Sequence, residues 1–235
     1  MDVSNFVLVT VTNYGYKKYT ENAVKSLIQS GFSLKHVIIY AMDPQCAEYF
    51  KNNYNEIRVK RTDYENNVTV SYMEGEWNNV TLQKINIVHN ELKEHSYVVL
   101  FDGDIVFNSS NFIEHIQTEM NKNNDIELLG QHEFKNNETR QLCSGFYCVK
   151  STPSTLKYFD PSNYINGKFK RNDQDYLNKI RKHIKWKFLD IDLFPNGFYY
   201  YHHHKNRESA YIVHFNFLKY KEKEGRMKRY KLWYL

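Results

Sequence analysis

Three short runs constrain this chain more than any other feature: NFVLVTVTN over 5–13, HVIIYAMD over 36–43 and YVVLFDGDIVF over 97–107. Each is apolar at successive positions and rich in Val and Ile, the pattern of a strand buried on both faces. Between the first two lies YTENAVKSLIQSGF, which predicts a helix with Ala23, Leu27 and Ile28 on one stripe and Gly31 as the residue that ends it. A short helix over PQCAEYFKN follows the second run, with Pro44 in its first turn. The segment TLQKINIVHNELKEH, with Leu82, Ile85, Val88 and Leu92 in helical register, precedes the third. Strand, helix, strand, helix in this order predicts right-handed crossovers and a parallel sheet.

The second half is less regular. IELLGQ, GFYCV, KFLDIDLF and YIVHFN read as strands and DQDYLNKIRKHI as a helix, so the later strands are expected to mix directions. With 235 residues, 41% of them hydrophobic, four prolines and nine glycines, one domain over 1–235 is the expectation. No run approaches the roughly 20 apolar residues of a membrane span. The N-terminal stretch lacks a basic segment followed by a cleavage site. Cys46, Cys143 and Cys148 are too few for a disulfide framework, so a reducing, cytoplasmic setting is expected, in which the sequons at Asn67 and Asn137 stay unmodified. The net charge of +5 is matched by the excess of lysine and arginine between Lys219 and Lys231. That excludes a basic field over the whole surface and leaves one positive segment to explain.

The chemistry concentrates at Asp102-Gly103-Asp104. Two carboxylates two positions apart point to opposite faces of a regular strand, so they reach one ion only if the chain turns, and Gly103 permits the turn. Hard carboxylate oxygens suit Mg²⁺ or Mn²⁺, which keep positions open for phosphates. In open α/β sheets ligands bind beyond the carboxyl ends of strands, where this pair falls. His214 closes another apolar run and precedes the basic segment, so a carboxylate pair, an imidazole and lysines are available together for a divalent ion and a diphosphate.

FDGDIVF, the downstream SGFY and NDQDYL segments and the closing HFNFLKYKEKEGRMKRYKLW together resemble a nucleotide-diphospho-sugar transferase of the GT-A fold, nearest in pattern to glycosyltransferase family 77 and more distantly to family 8. The resemblance implies a Rossmann-like three-layer α/β/α fold with a mixed, mostly parallel central sheet. It also implies a nucleotide-binding half over 1–107 and a donor-sugar and acceptor half over 108–235. Asp102, Asp104 and His214 then hold Mn²⁺, or Mg²⁺, on the diphosphate of a UDP-sugar. A glycine often found some six residues beyond the histidine is replaced here by Tyr220. Lys219, Lys221 and Lys223 can still neutralise the diphosphate, Lys223 first among them, although any of them also fits a solvated helix face.

By the same resemblance Thr10, Thr12, Asn13, Tyr40 and Asp43 hold the nucleoside, with Thr12 and Tyr40 on base or ribose, unless they merely cap strand ends. Lys84 approaches the phosphates or lies on a polar helix stripe. Asp173, Gln174 and Asp175 face the donor sugar as catalytic residues, while an Asn or Asp in Asn172–Asp175 also serves as a helix cap. Ser144 and Gly145 permit close approach to a sugar. Asp190 and Asp192 alternate, so one is expected to face solvent and the other the interior. The Tyr199–His204 run is a weak zinc candidate and a better aromatic surface for a sugar.

The resemblance implies transfer of a glycosyl group from a nucleotide sugar to a hydroxyl of a glycan, glycoprotein or other acceptor, with anomeric configuration retained. Were the reaction inverting, Asp173 or Asp175 is the candidate base. Two alternatives are a nucleotidyltransferase, for which VTVTNYGYKK supplies a single glycine where a Gly-rich loop is needed, and a non-catalytic nucleic-acid module built on the basic segment. Composition does not specify donor sugar, acceptor or oligomeric state.

Overall fold

The computed structural model describes residues 5–68, 76–122, 125–133, 141–164 and 171–235. The valine-rich runs become β1 (Phe6–Thr12), β2 (Val37–Ala41) and β4 (Tyr97–Phe101), and all but Val11 of their residues are buried. With β3 (Arg58–Arg61), β6 (Leu128–His132), β7 (Leu142–Lys150) and β8 (Trp186–Phe188) they form one seven-stranded sheet in the order β3-β2-β1-β4-β7-β6-β8. Only β7 runs against its neighbours. The sheet is therefore mixed and mostly parallel, as expected.

Alternate residues of each strand feed two cores. Leu8, Ile39, Val99 and Phe146 face α1 (Lys17–Gln29), α2 (Pro44–Asn53) and α4 (Asn111–Lys122). Val9, Ile38, Leu100 and Tyr147 face α3 (Trp77–Leu92), α5 (Pro153–Phe159) and α6 (Asp173–Ile180). Each aliphatic side chain buried this way stabilises by about 1.5–3 kcal/mol, which holds the sheet rigidly under whatever its carboxyl edge carries. A third core forms off the sheet, where β5 (Ile105–Phe107), β9 (Ile212–His214), α7 (Gly197–His202) and α8 (Tyr220–Arg229) pack against Tyr19 of α1.

Local signals explain several boundaries. Gly31 sits at φ +79, with its own N–H donating to Ile28 O and that of Phe32 to Leu27 O, which ends α1. Asp43 caps α2 by accepting from the Cys46 N–H, and Pro44 opens the helix. Several sequence expectations need correction. Ile28 is 46% exposed and leaves the buried stripe, which runs instead through Ala23, Val24 and Leu27. Helix α3 begins one turn earlier than its apolar periodicity, at Trp77. KFLDIDLF is a strand only to Phe188; the chain then turns, so Asp190 and Asp192 are both exposed and no inward carboxylate exists there. The sequon at Asn137 lies outside the described residues.

Candidate functional site

The acidic pair lies where β4 leaves the sheet. The chain turns at Asp102–Asp104, with the Ile105 N–H donating to Asp102 O, and continues as β5 in a separate two-stranded ribbon with β9. The turn is tight around Gly103: a Cβ there would meet Thr20 Oγ1 at 2.4 Å. The ribbon pairs Ile105 with His214, bringing a residue 110 positions later beside the pair. His214 Nε2 lies 3.4 Å from Asp104 Oδ1 and 3.8 Å from Asp102 Oδ2. One ligand atom from each of the three residues lies within 4.8 Å of the others. An ion with ligands about 2.1 Å away spreads its donors over roughly 3–4.2 Å, so two carboxylates and an imidazole here fit Mn²⁺ or Mg²⁺, the imidazole favouring Mn²⁺.

The imidazole is held from two sides, and its backbone is held as well. Position 145 has to be glycine, because a Cβ would fall 2.1 Å from His214 Cε1. The close approach that Gly145 permits is thus to His214. The backbone N–H of His214 donates to Pro195 O at 3.3 Å, and ring Nδ1 lies 2.9 Å from Gln131 Oε1. Gln131 carries no motif, and sequence reasoning missed it; its one signal was a polar residue closing the apolar IELLGQ run.

Two lysines pair with the carboxylates of the cluster. Lys84 is buried on α3, with Nζ 2.8 Å from Asp102 Oδ1 and 2.7 Å from Asp173 Oδ2, and it also donates to Ser144 O. Burial alone would lower its pKa, but the two carboxylates outweigh burial and hold the ammonium well above its usual value. Lys223, reaching back from α8, pairs with Asp104 Oδ2 and donates to Phe215 O. Burial would raise the Asp104 pKa, yet the Lys223 ammonium reverses that and keeps this carboxyl far below the ordinary range. Lys219 and Lys221 are exposed and make no ion pair with this group among the described residues. Tyr220 lies in the helix, and the left-handed backbone position that favours glycine falls instead at Phe217, with φ 58.

The sugar-side candidates divide. Asn172 is the N-cap of α6, accepting from the Asp175 N–H at 2.8 Å. Asp173 is buried against Lys84, and Gln174 Oε1 accepts from the Ser144 N–H at 3.2 Å, so α6 and β7 bring Asp173, Gln174, Ser144 and Gly145 to one edge of the metal candidates. Asp175 is half-buried and joins none of the ion pairs described here.

At the nucleoside side, Thr12 accepts from Thr20 at 2.9 Å, beside Gly103. Asn13 braces the loop with Asn66 and Val68 and accepts from the Tyr16 N–H. Thr10 is fully buried in the sheet. Both Asp43 oxygens are taken by the backbone N–H groups of Tyr14 and Cys46. The Tyr40 hydroxyl donates to Glu91, which Lys60 neutralises at 2.6 Å, so the phenol points away from the Asp102–Asp104 cluster into a second ion-pair group with Glu94 and His95. Tyr16 was missed by sequence reasoning: its ring packs beside Gly103, and burial, then the charges of Asp104 and Asp102, keep its hydroxyl protonated. In the histidine run, His204 is buried on Asp192 O while His202 and His203 are exposed beside Phe198, whose ring lies 6.1 Å from that of Phe217.

Comparison with known proteins follows this geometry. A family profile described as nucleotide-diphospho-sugar transferase matches residues 33–229. A curated protein of Dictyostelium discoideum, UDP-galactose:fucoside alpha-3-galactosyltransferase, is 25% identical over 289 aligned residues, which cover 98% of this chain and 43% of that protein. The chain thus spans less than half the length of that relative. Among solved structures, a glycosyltransferase involved in the glycosylation of the major capsid of PBCV-1 superposes with a TM-score of 0.59 at 14% identity, over 95% of this chain and 98% of the other. An active-site mutant of LgtC gives a TM-score of 0.59 at 10% identity, over 89% and 86%. At these identities the superpositions speak to fold alone. No helix among the described residues is long and apolar enough to cross a membrane.

Proposed function

The chain belongs to the nucleotide-diphospho-sugar transferase family, as a glycosyltransferase with the GT-A fold, and from that premise we propose that it is a Mn²⁺-dependent enzyme using a UDP-sugar donor and retaining anomeric configuration. The observation that carries the reading is the convergence of Asp102, Asp104 and His214 with Lys223 at the carboxyl edge of the sheet. A divalent ion held by the three side chains would act as a Lewis acid on the leaving diphosphate. Lys223 stabilises the negative charge that grows on the same group. Lys84 fixes Asp102 and Asp173 in place and keeps both ionised side chains from repelling each other. Gln174 and Asp173 line the edge where the donor sugar lies.

Retention is supported by what Asp173 is bonded to. Asp173 Oδ2 is already occupied by the Lys84 ammonium at 2.7 Å, which leaves the departing phosphate as the anion free to take the acceptor proton. Uridine is supported by the Dictyostelium relative, whose described activity uses UDP-galactose. The exposed ring of Phe217 and the half-buried ring of Phe198, with His202 and His203 beside the latter, suit the C–H face and hydroxyls of a carbohydrate acceptor.

The test is calorimetric titration of UDP with and without Mn²⁺, on the wild type and on Asp102→Asn. Binding is expected only with the ion and is lost in the variant, whose fold survives because Asp102 keeps contact with water. Equal UDP affinity with and without the ion refutes the reading. A hydrolysis screen over a panel of sugar nucleotides then identifies the donor.

A further inference from the structure

We infer that Gln131 is a positioning residue that selects the tautomer of His214, placing the proton on Nδ1 and leaving the Nε2 lone pair to face Asp102 and Asp104. The inference deepens the reading above and rests on it where His214 is taken as a metal ligand. Gln131, on β6, is fully buried. Its amide nitrogen donates to Phe194 O at 3.1 Å and Pro195 O at 2.9 Å. Turning the amide round would set its oxygen against those two carbonyl oxygens, so its orientation is fixed by its neighbours. The oxygen therefore faces His214 Nδ1 at 2.9 Å.

An amide oxygen only accepts, so the hydrogen of this bond belongs to Nδ1. In a neutral imidazole the other nitrogen is then bare, and Nε2 is the atom 3.4 Å and 3.8 Å from the two carboxylates. A lone pair turned toward two anions is repulsive by itself and suited to sharing one cation with them. The remaining group near Nδ1 is Cys143 Sγ at 3.6 Å, whose thiol is kept protonated by burial and competes poorly as an acceptor. Pro195 O accepts from both the Gln131 side-chain amide and the backbone N–H of His214, so one peptide of the loop before α7 ties the backbone of His214 and the residue that orients its ring together. Loss of the Gln131 oxygen frees the tautomer while Gly145 and the backbone still hold the ring in place.

Two variants and two readouts test this. Gln131→Met removes the acceptor at similar length; Gln131→Glu keeps an oxygen toward Nδ1 when its buried carboxyl is protonated, the O–H then replacing the amide as donor to Phe194 O and Pro195 O. Long-range ¹H–¹⁵N spectra of the metal-free protein, with imidazoles neutral and the His214 signals identified by their absence in His214→Ala, are expected to show Nδ1–H in the wild type and in Gln131→Glu. Gln131→Met is expected to show the Nε2–H form or a mixture. Mn²⁺ dissociation constants, read from the electron paramagnetic resonance of free Mn²⁺, are expected to rise about 10- to 100-fold in Gln131→Met and to be largely restored in Gln131→Glu. A merely structural residue would lower the melting temperature of both variants without separating them. Wild-type Nε2–H, or unchanged Mn²⁺ affinity in Gln131→Met, overturns the inference; the wild-type spectrum alone decides it should that variant not fold. A wild type with Nδ1–H that binds no Mn²⁺ overturns the metal reading instead, and the tautomer assignment stands.

Discussion

Adding one methyl group at Gly145 tests the packing of the site and its chemistry together. The new Cβ would lie 2.1 Å from His214 Cε1 and 2.8 Å from both ring nitrogens, where ordinary contact begins at 3.4 Å. The ring has to retreat by about 1.3 Å, several times the roughly 0.2 Å latitude of a metal–ligand bond. It has little room to do so, since Gln131 holds its Nδ1 and the His214 backbone is fixed by its N–H bond to Pro195 O. Overpacking of this kind costs about 1–3 kcal/mol, offset by roughly 0.4–1 kcal/mol from the stiffer unfolded chain. For a chain of this size the net, about 1–2 kcal/mol, lowers the melting temperature by roughly 2–8 °C. Mn²⁺ affinity falls further, by on the order of 100-fold or more, because a ligand itself is displaced. Thermal denaturation of wild type and Gly145→Ala, each with and without Mn²⁺ and UDP, reads both effects: ligands raise the wild-type midpoint by mass action and leave the variant nearly unmoved. A variant as stable as the wild type, or one that gains as much from the ligands, refutes the argument that glycine is required to seat His214.

Lys84→Met leaves Asp173 buried without its cation and is expected to destabilise by about 3 kcal/mol, read by urea denaturation; a loss under about 1 kcal/mol would show that the pair is not truly desolvated. Lys223→Ala is expected to lower kcat about 10- to 100-fold with little change in donor KM, because its charge answers one that develops as the bond breaks; a rise in KM alone would assign it to ground-state binding. Burial lowers the pKa values of His89, His95, His115 and His132 in the fold. The unfolded chain then binds more protons as pH drops through about 6.5, so stability is greatest above that pH and declines below it. Glu119 and Glu224, held down at about 2 by their lysine partners, lose nothing in that window. The denaturation midpoint is therefore expected to be lower at pH 5.5 than at 7.5, and a flat profile contradicts the burial of these rings.

The parallel half was legible because its strands are buried on both faces and its helices follow 3.6-residue periodicity. The Asp102-Gly103-Asp104 turn was legible because regular strand geometry forbids what the chemistry needs. Less was readable where burial is one-sided or contacts are distant. Strand β3 is Arg-Val-Lys-Arg, an edge with no apolar signature. Asp190 and Asp192 mimic strand alternation, yet the Asp190 carbonyl accepts from the Leu193 and Phe194 N–H groups and turns the chain. Tyr40 and Asp43 occupy strand ends, where both nucleoside contacts and structural capping occur; their partners, Glu91 and the Tyr14 and Cys46 N–H groups, are a tertiary fact that no local pattern encodes. Gln131 is the extreme case, since its importance arises entirely from a histidine 83 residues away.

A count of charge ties these residues into one electrostatic argument for an ion. Asp102, Asp104 and Asp173 bring three carboxylates within reach of one another, and Lys84 and Lys223 return two positive charges, while His214 taken as a metal ligand adds none. The cluster is thus left with one net negative charge, buried enough that water screens it weakly, and a diphosphate brought to it alone is repelled. A divalent cation turns the same cluster net positive without moving a side chain. Lys223 takes Asp104 Oδ2 and leaves Oδ1, the oxygen nearest His214 Nε2, available to help hold an ion, whose charge would add to that of Lys223 in stabilising a leaving phosphate. The two lysines alone cannot do this, because each is already spent on a carboxylate. Ion dependence of nucleotide binding follows from that shortfall of one charge.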